Sequence, residues 1–172
     1  MPEERKYVVE RLDASKHRRE DFRCESPELT DFLQKRARKE MDARTSVCFV
    51  IVPVEGLGRI AGFYTLSAAE ISATNLAENL TRRLPRYPQL PVTLLGRLAR
   101  DAGFRGMGIG DRLMLDALSR AVAASAEIGS IGVITDPKDE RAVNFYREFG
   151  FAPLPGGRLF LPMAEILKIV QK

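Results

Sequence analysis

An arginine and three glycines, Arg105, Gly106, Gly108 and Gly110, fall within six consecutive residues. Small residues at that spacing let backbone N–H groups approach an anion closely. They lie in LLGRLARDAGFRGMGIGDRLMLD, residues 94–116, which reads as an apolar strand, a turn, a glycine-rich loop and an amphipathic helix. A helix N-terminus carries partial positive charge, so a loop that opens a helix favours phosphate or diphosphate. Arg105 sets a cation beside those amides, and Met107 and Ile109 complete the loop. Two familiar phosphate loops do not fit. A Walker A loop ends in Gly-Lys-Ser/Thr, but Asp111 and Arg112 follow Gly110. A Rossmann fingerprint needs a third glycine where Leu113 stands. A nucleotide-sugar or flavin site of another pattern remains open at this point. A tight strand-to-helix turn with no ligand is the competing structural explanation.

The elements that must hold this loop are those of one modest domain. The 172 residues are 45% hydrophobic and 29% charged, which predicts a single domain over 1–172 with a buried core. No run approaches the roughly 18–20 apolar residues of a membrane span, and the charged N-terminus lacks a signal-peptide core, so no membrane association is expected. Cys24 and Cys48 form no disulfide framework or metal spacing. His17 is the lone histidine, so a zinc site or a Ser-His-Asp triad is not expected. In the charged stretch KHRRED, His17 is expected on the surface, and the whole composition points to a reducing cytoplasm. The net charge of +4 is compatible with a polyanionic partner. Basic residues gather at Lys35, Arg36, Arg38 and Lys39, at Arg82, Arg83 and Arg86 in the proline-bearing RRLPRYPQLP, and at Arg97, Arg100 and Arg105.

A first strand is predicted over 7–12. Ser26 and Pro27 suit the cap and first turn of a helix, whose Leu29, Phe32, Leu33, Ala37 and Met41 recur at helical spacing. Residues 47–53 and 59–68 read as strands joined by a hairpin-like connection, with Cys48 as a small core residue. Residues 71–91 form a long connection, partly helical. A strand over 92–100 precedes the glycine loop, and the next helix buries Leu113, Met114, Ala117, Leu118, Ala121 and Val122. A strand over 131–135 leads to a helix expected to start at Asp136-Pro137 and to close at Gly150. Strands from Phe151 and over 158–163 finish the chain. This order predicts a mixed α/β sheet with helices on its faces.

Several separated segments together resemble one family. The spacing Arg105, Gly108, Gly110 after a strand and before a helix is similar to the acetyl-CoA loop of the GNAT acyltransferases. FRCESPELTDFLQKRA, RIAGFYTLSA, RRLPRYPQLPVTLLGRLARD, FRGMGIGDRLMLDAL, NFYREFGF and RLFLPM resemble, in order, the GNAT toxins of toxin–antitoxin pairs. The resemblance implies the single-domain GNAT fold, a mixed and mostly antiparallel twisted sheet flanked by helices. It implies acetyl-CoA held by residues 105–110, with the pantetheine on backbone groups of Leu98 and Ala99 and with Asn144 near the cofactor. Tyr146 takes the place of the family's general acid beside the CoA sulfur. RTSVCFVIV and Arg100 depart from the family's usual residues, and each departure bears on substrate choice.

By that resemblance the protein is an N-acetyltransferase acting on the α-amino group of aminoacyl-tRNA, a translation-blocking toxin. Its implied partners are a small DNA-binding antitoxin of ribbon-helix-helix type and a second copy of itself. An α-amino group has a reference pKa near ~7.7–8.0 against ~10.4 for lysine, so a strong enzymatic base is dispensable. Lys35, Arg36, Lys39, Arg82, Arg83, Arg86 and Arg97 are the charge-based candidates for tRNA contact. Two alternatives stand beside this reading: acetylation of a small amine or protein amino group, and a non-catalytic CoA-binding regulator. Helical spacing of Ala142, Phe145, Tyr146 and Phe149 also allows Tyr146 to be a core aromatic.

Overall fold

The run VCFVIV offers no polar face, and in the computed structural model, which describes residues 6–171, it forms β2 (Val47–Pro53), a strand whose central residues are buried. On one side β2 pairs antiparallel with β1 (Tyr7–Arg11), Tyr7 opposite Pro53 and Arg11 opposite Phe49. On the other it pairs antiparallel with β3 (Gly62–Ser72), Ile51 opposite Gly62. Next comes β4 (Gln89–Arg100), then β5 (Gly132–Thr135), parallel to β4 at Thr93 and Leu94. Antiparallel β7 (Leu159–Pro162) and the short β6 (Ala152–Pro153) complete the sheet. The order is β1-β2-β3-β4-β5-β7-β6, the mixed sheet expected from the element order and mostly antiparallel as the family resemblance implies.

Two compact units emerge along the chain. The first comprises the residues up to Ser67 together with Gly96–Ala117, and the second Ala68–Leu95 with Leu118 onward. In the first, Phe22, Phe32, Leu33, Ala37, Cys48, Val50 and Phe63 form one core, with Phe22 edge-on to Phe63 and Phe32 stacked on it. The helix over this core begins as predicted. Ser26 accepts a hydrogen bond from the Leu29 N–H at 3.3 Å, and Pro27 opens α1 (Pro27–Asp31). It does not continue as a plain α-helix. A π-helical turn, Phe32–Arg36, intervenes before α2 (Ala37–Asp42), with the Ala37 N–H reaching the Phe32 carbonyl. The wider turn is invisible to a 3.6-residue period.

The second unit packs Ile71, Leu76, Leu90, Val92, Ile134 and Phe160 together. It holds the short α3 (Glu78–Thr81) of the long connection, and α4 (Ile109–Ser125) starts in the first unit and ends here. Asp136-Pro137 does not open the next helix. Asp139 caps α5 (Glu140–Glu148) by accepting from the Ala142 N–H at 2.8 Å, while Asp136 binds the Arg158 guanidinium at 2.8 Å. The carboxylate that faces a free helical N–H becomes the cap, and Asp136 already has a cation. Gly150, at φ 101°, ends α5 as expected. The last helix, α6 (Met163–Val170), follows β7 directly and is an addition to the sequence expectation.

His17 is not on the surface. Its side chain is buried because both ring nitrogens are satisfied: Nδ1 accepts from the Asp13 N–H at 2.9 Å, so Nε2 carries the proton that it donates to Glu10 at 2.7 Å. Among the described residues no helix is long and apolar enough to cross a membrane. Nor do three metal-ligating side chains of the described residues come together.

Candidate active site

The Arg-x-x-Gly-x-Gly loop lies in the first unit, as the turn into the 17-residue α4. Asp101 prepares it by accepting from the Gly103 N–H at 2.8 Å, which starts a short 3-10 turn over Ala102–Phe104. Gly106 and Gly108 then adopt φ values of 77° and 73°, the left-handed region that favours glycine. The Gly108 carbonyl accepts from the Arg112 N–H at 3.1 Å, so α4 is hydrogen-bonded from this residue on. The first N–H groups of a helix have no partner within it and point along its axis. A Cβ built at Gly106 or Gly108 meets nothing within 4 Å. Open space over the two glycines, free helical N–H groups and the exposed Arg105 fit a diphosphate, and with it coenzyme A.

The loop's other residues divide. Met107 is exposed, and its Sδ accepts from the Tyr7 hydroxyl at 3.5 Å. Ile109 is buried, so it offers a ligand only its backbone. Leu98 and Ala99 both lie on β4 ahead of the loop. The Asp101 N–H donates to the Ala61 carbonyl at 2.8 Å, and the Ala99 carbonyl lies against Gly62 of β3.

Tyr146 lies in the second unit, buried on α5 between the Phe145 and Phe151 rings, both with centroids 5.5 Å away. Burial raises its pKa above the ordinary tyrosine value, and a hydrogen bond with Thr135 pulls the other way. A raised pKa keeps the proton on the phenolic oxygen throughout the neutral range. Thr135 is itself buried at the end of β5, donating to the Leu95 carbonyl at 2.9 Å. No local signal marked Thr135, since its pairing depends on β4 lying alongside. Asn144 is exposed, and two residues along a helix turn it well away from the Tyr146 side. Tyr64, read as a strand residue without a catalytic role, is buried, stacks on Phe49 and donates to the Asp116 carboxylate of α4.

The basic candidates are also sorted by the fold. Arg97 is held rather than free: its guanidinium sits 3.7 Å above the Phe32 ring, with Nη1 4.0 Å from Glu40. Arg36 approaches the same ring at 5.2 Å. Lys35 pairs with Asp31 and Arg82 with Glu78, both on exposed surface where such pairs contribute little. Lys39, Arg83 and Arg86 are exposed and have no ion pair among the described residues. The sequence did not single out Glu25, whose carboxylate binds both Arg100 and Arg105.

Cys48 is a core residue as expected. Its burial pushes the thiol up to about 12, leaving almost no thiolate at neutral pH. Alkylation of the folded protein at pH 8 is therefore expected to spare Cys48 until denaturant is added, as peptide mass spectrometry would record.

The model of the acetyltransferase (GNAT) family matches residues 11–151. The probable toxin TacT of Sinorhizobium fredii is 32% identical over 174 residues, covering 96% of each chain. A tRNA-acetylating toxin of Mycobacterium tuberculosis is 34% identical over 140 residues, covering 81% of each. Among solved structures, AtaT complexed with acetyl-methionyl-tRNAfMet superimposes with a TM-score of 0.88 at 25% identity, over 95% of this chain and 98% of that one. AtaTR bound with acetyl-CoA gives 0.83 at 26% identity, over 95% and 98%.

Proposed function

This chain belongs to the GNAT acetyltransferase family, and on that premise we propose that it transfers acetyl from acetyl-CoA to the α-amino group of aminoacyl-tRNA, blocking translation as a toxin. The observation that carries the transferase half is the open cradle at Gly106 and Gly108, ahead of a long helix and beside an exposed arginine. The acceptor is supported by a 34% identical relative named as a tRNA-acetylating toxin and by a 25% identical structure complexed with acetyl-methionyl-tRNAfMet.

Bound acetyl-CoA supplies an acetyl group on a thioester. The backbone N–H groups of residues 106–110 would hold its diphosphate, with Arg105 adding charge. We assign the Leu98 N–H the task of polarising the thioester carbonyl. Tyr146 would give its phenolic proton to the departing sulfur as a positioned general acid, and the proton shed by the acylated nitrogen would restore the phenol. No residue need act as a strong base. Near neutral pH a large share of an α-amino group is already the free amine.

Lys35, Arg36, Lys39, Arg82, Arg83, Arg86 and Arg97 supply the charge for a phosphate backbone, with Lys39, Arg83 and Arg86 the least encumbered. The roles given to Met107, Ile109 and Gly110 are those of backbone donors, and Asn144 and Ala99 are secondary to Tyr146 and Leu98. We read residues 1–172 as one domain, because β3 and β4 run through both units. A homodimer, a ribbon-helix-helix antitoxin and a cytoplasmic setting complete the proposal.

The test offers purified protein a mixture of charged tRNAs with labelled acetyl-CoA. Label is expected on aminoacyl-tRNA, at a rate that falls steeply as salt rises. Equal labelling of a small amine or a protein amino group, insensitive to salt, would overturn the acceptor. Uptake of acetyl-CoA with no transfer at all would point to a binding protein.

A further inference from the structure

Arg105 is not loose at the mouth of the cradle. Its Nη2 donates to Glu25 Oε1 at 2.8 Å, and the Arg100 Nη2 donates to that same oxygen at 2.9 Å. One carboxylate oxygen therefore holds two guanidinium groups that would otherwise repel each other. Arg100 depends on it: the side chain is only 22% exposed, and its Nε is buried with no hydrogen-bond partner. Glu25 is anchored from both sides. Two residues before it, the Arg23 N–H donates to the Asp101 carboxylate at 2.9 Å and the Arg23 carbonyl accepts from Ala102 at 2.8 Å. One residue after it, Ser26 caps α1. The hydrogen bond from Arg105, then one from Glu25's own backbone N–H and the nearby charge of Arg100, hold its carboxyl at about 2, so it stays charged near neutral pH.

We infer that Glu25 is a positioning residue for the cofactor, holding the Arg105 guanidinium at the glycine loop while its remaining N–H donors face the diphosphate. The inference rests on the reading of residues 105–110 as the diphosphate site. An arginine carries five N–H donors in a rigid fork, and Glu25 engages only the Nη2 end. Charge counting and positioning make opposite predictions. Removing a carboxylate from beside an anion site raises the positive potential and by that count tightens binding. Positioning says that the freed arginines repel, Arg105 swings into solvent, and binding weakens.

Calorimetric titration of the purified full chain with acetyl-CoA decides between them. Glu25→Gln is expected to weaken binding by about three- to tenfold, with KM for acetyl-CoA raised, kcat unchanged and the folded far-UV circular dichroism spectrum retained. In an Arg105→Gln background the same change adds no further loss, and adding Arg100→Leu to Glu25→Gln recovers part of the affinity by removing the repelling partner. Tighter or unchanged binding by Glu25→Gln overturns the inference, as does a full additional loss in the Arg105→Gln background. A wild-type protein that takes up no acetyl-CoA, or an Arg105→Gln variant with undiminished affinity, brings down the site reading itself, and the role of Glu25 with it.

Discussion

Tyr146→Phe is expected to lower kcat by about 10²- to 10⁴-fold, the usual worth of a positioned general acid, with little change in the KM for acetyl-CoA. The substitution isolates the proton. The phenylalanine ring keeps the packing against Phe145 and Phe151, so the fold is retained. What disappears is one hydroxyl, with its hydrogen bond to Thr135. The pH dependence of stability gives an independent reading. Burial raises the Tyr146 pKa, so the folded state favours the protonated phenol. That contribution is fully present below the ordinary tyrosine pKa of about 10 and is lost as pH rises through the higher folded value. Wild-type protein should lose stability on that alkaline limb, and Tyr146→Phe should lack this component. Turnover kept within about threefold of wild type, well short of general-acid effects, would make Tyr146 one more core aromatic.

Gly108→Val should abolish measurable acetyl-CoA uptake, raising Kd by more than about 100-fold. A β-branched residue at φ 73° carries roughly 1–3 kcal/mol of backbone strain. Its side chain also fills the open space over the loop into which a phosphate must come. Strain and obstruction are separable with a second glycine. Gly156, in the turn before β7, has φ 84° and equally empty surroundings. Gly156→Val meets comparable strain at a residue that is not part of the glycine loop, so it should lower the melting temperature while leaving acetyl-CoA affinity intact. Equal losses of affinity in the two variants would mean that general destabilisation, not the cradle, explains the result.

Most of the site's chemistry was legible before the fold. The glycine loop stands in consecutive residues and requires only local backbone geometry, so its place ahead of α4 could be read from spacing. Tyr146 was visible as a residue but ambiguous in role, because its helical spacing with Phe145 and Phe149 fits a core as well as a catalyst. The helix expected at Asp136-Pro137 shows the limit of local signals. Asp136 and Asp139 are both adequate caps, and Arg158, twenty-two positions away, takes up Asp136.

The sequence by itself determined the runs that become strands, the Ser26-Pro27 helix start, the phosphate-seeking loop and the family, since each is written in neighbouring residues or in motifs repeated in order. The tertiary structure alone decided that His17 is buried, that Asp139 and not Asp136 caps α5, and that Glu25 binds two arginines. Those partners lie 75 and 80 positions from Glu25 along the chain. Which charges meet at such separations depends on the path of the whole backbone, and no local periodicity encodes it.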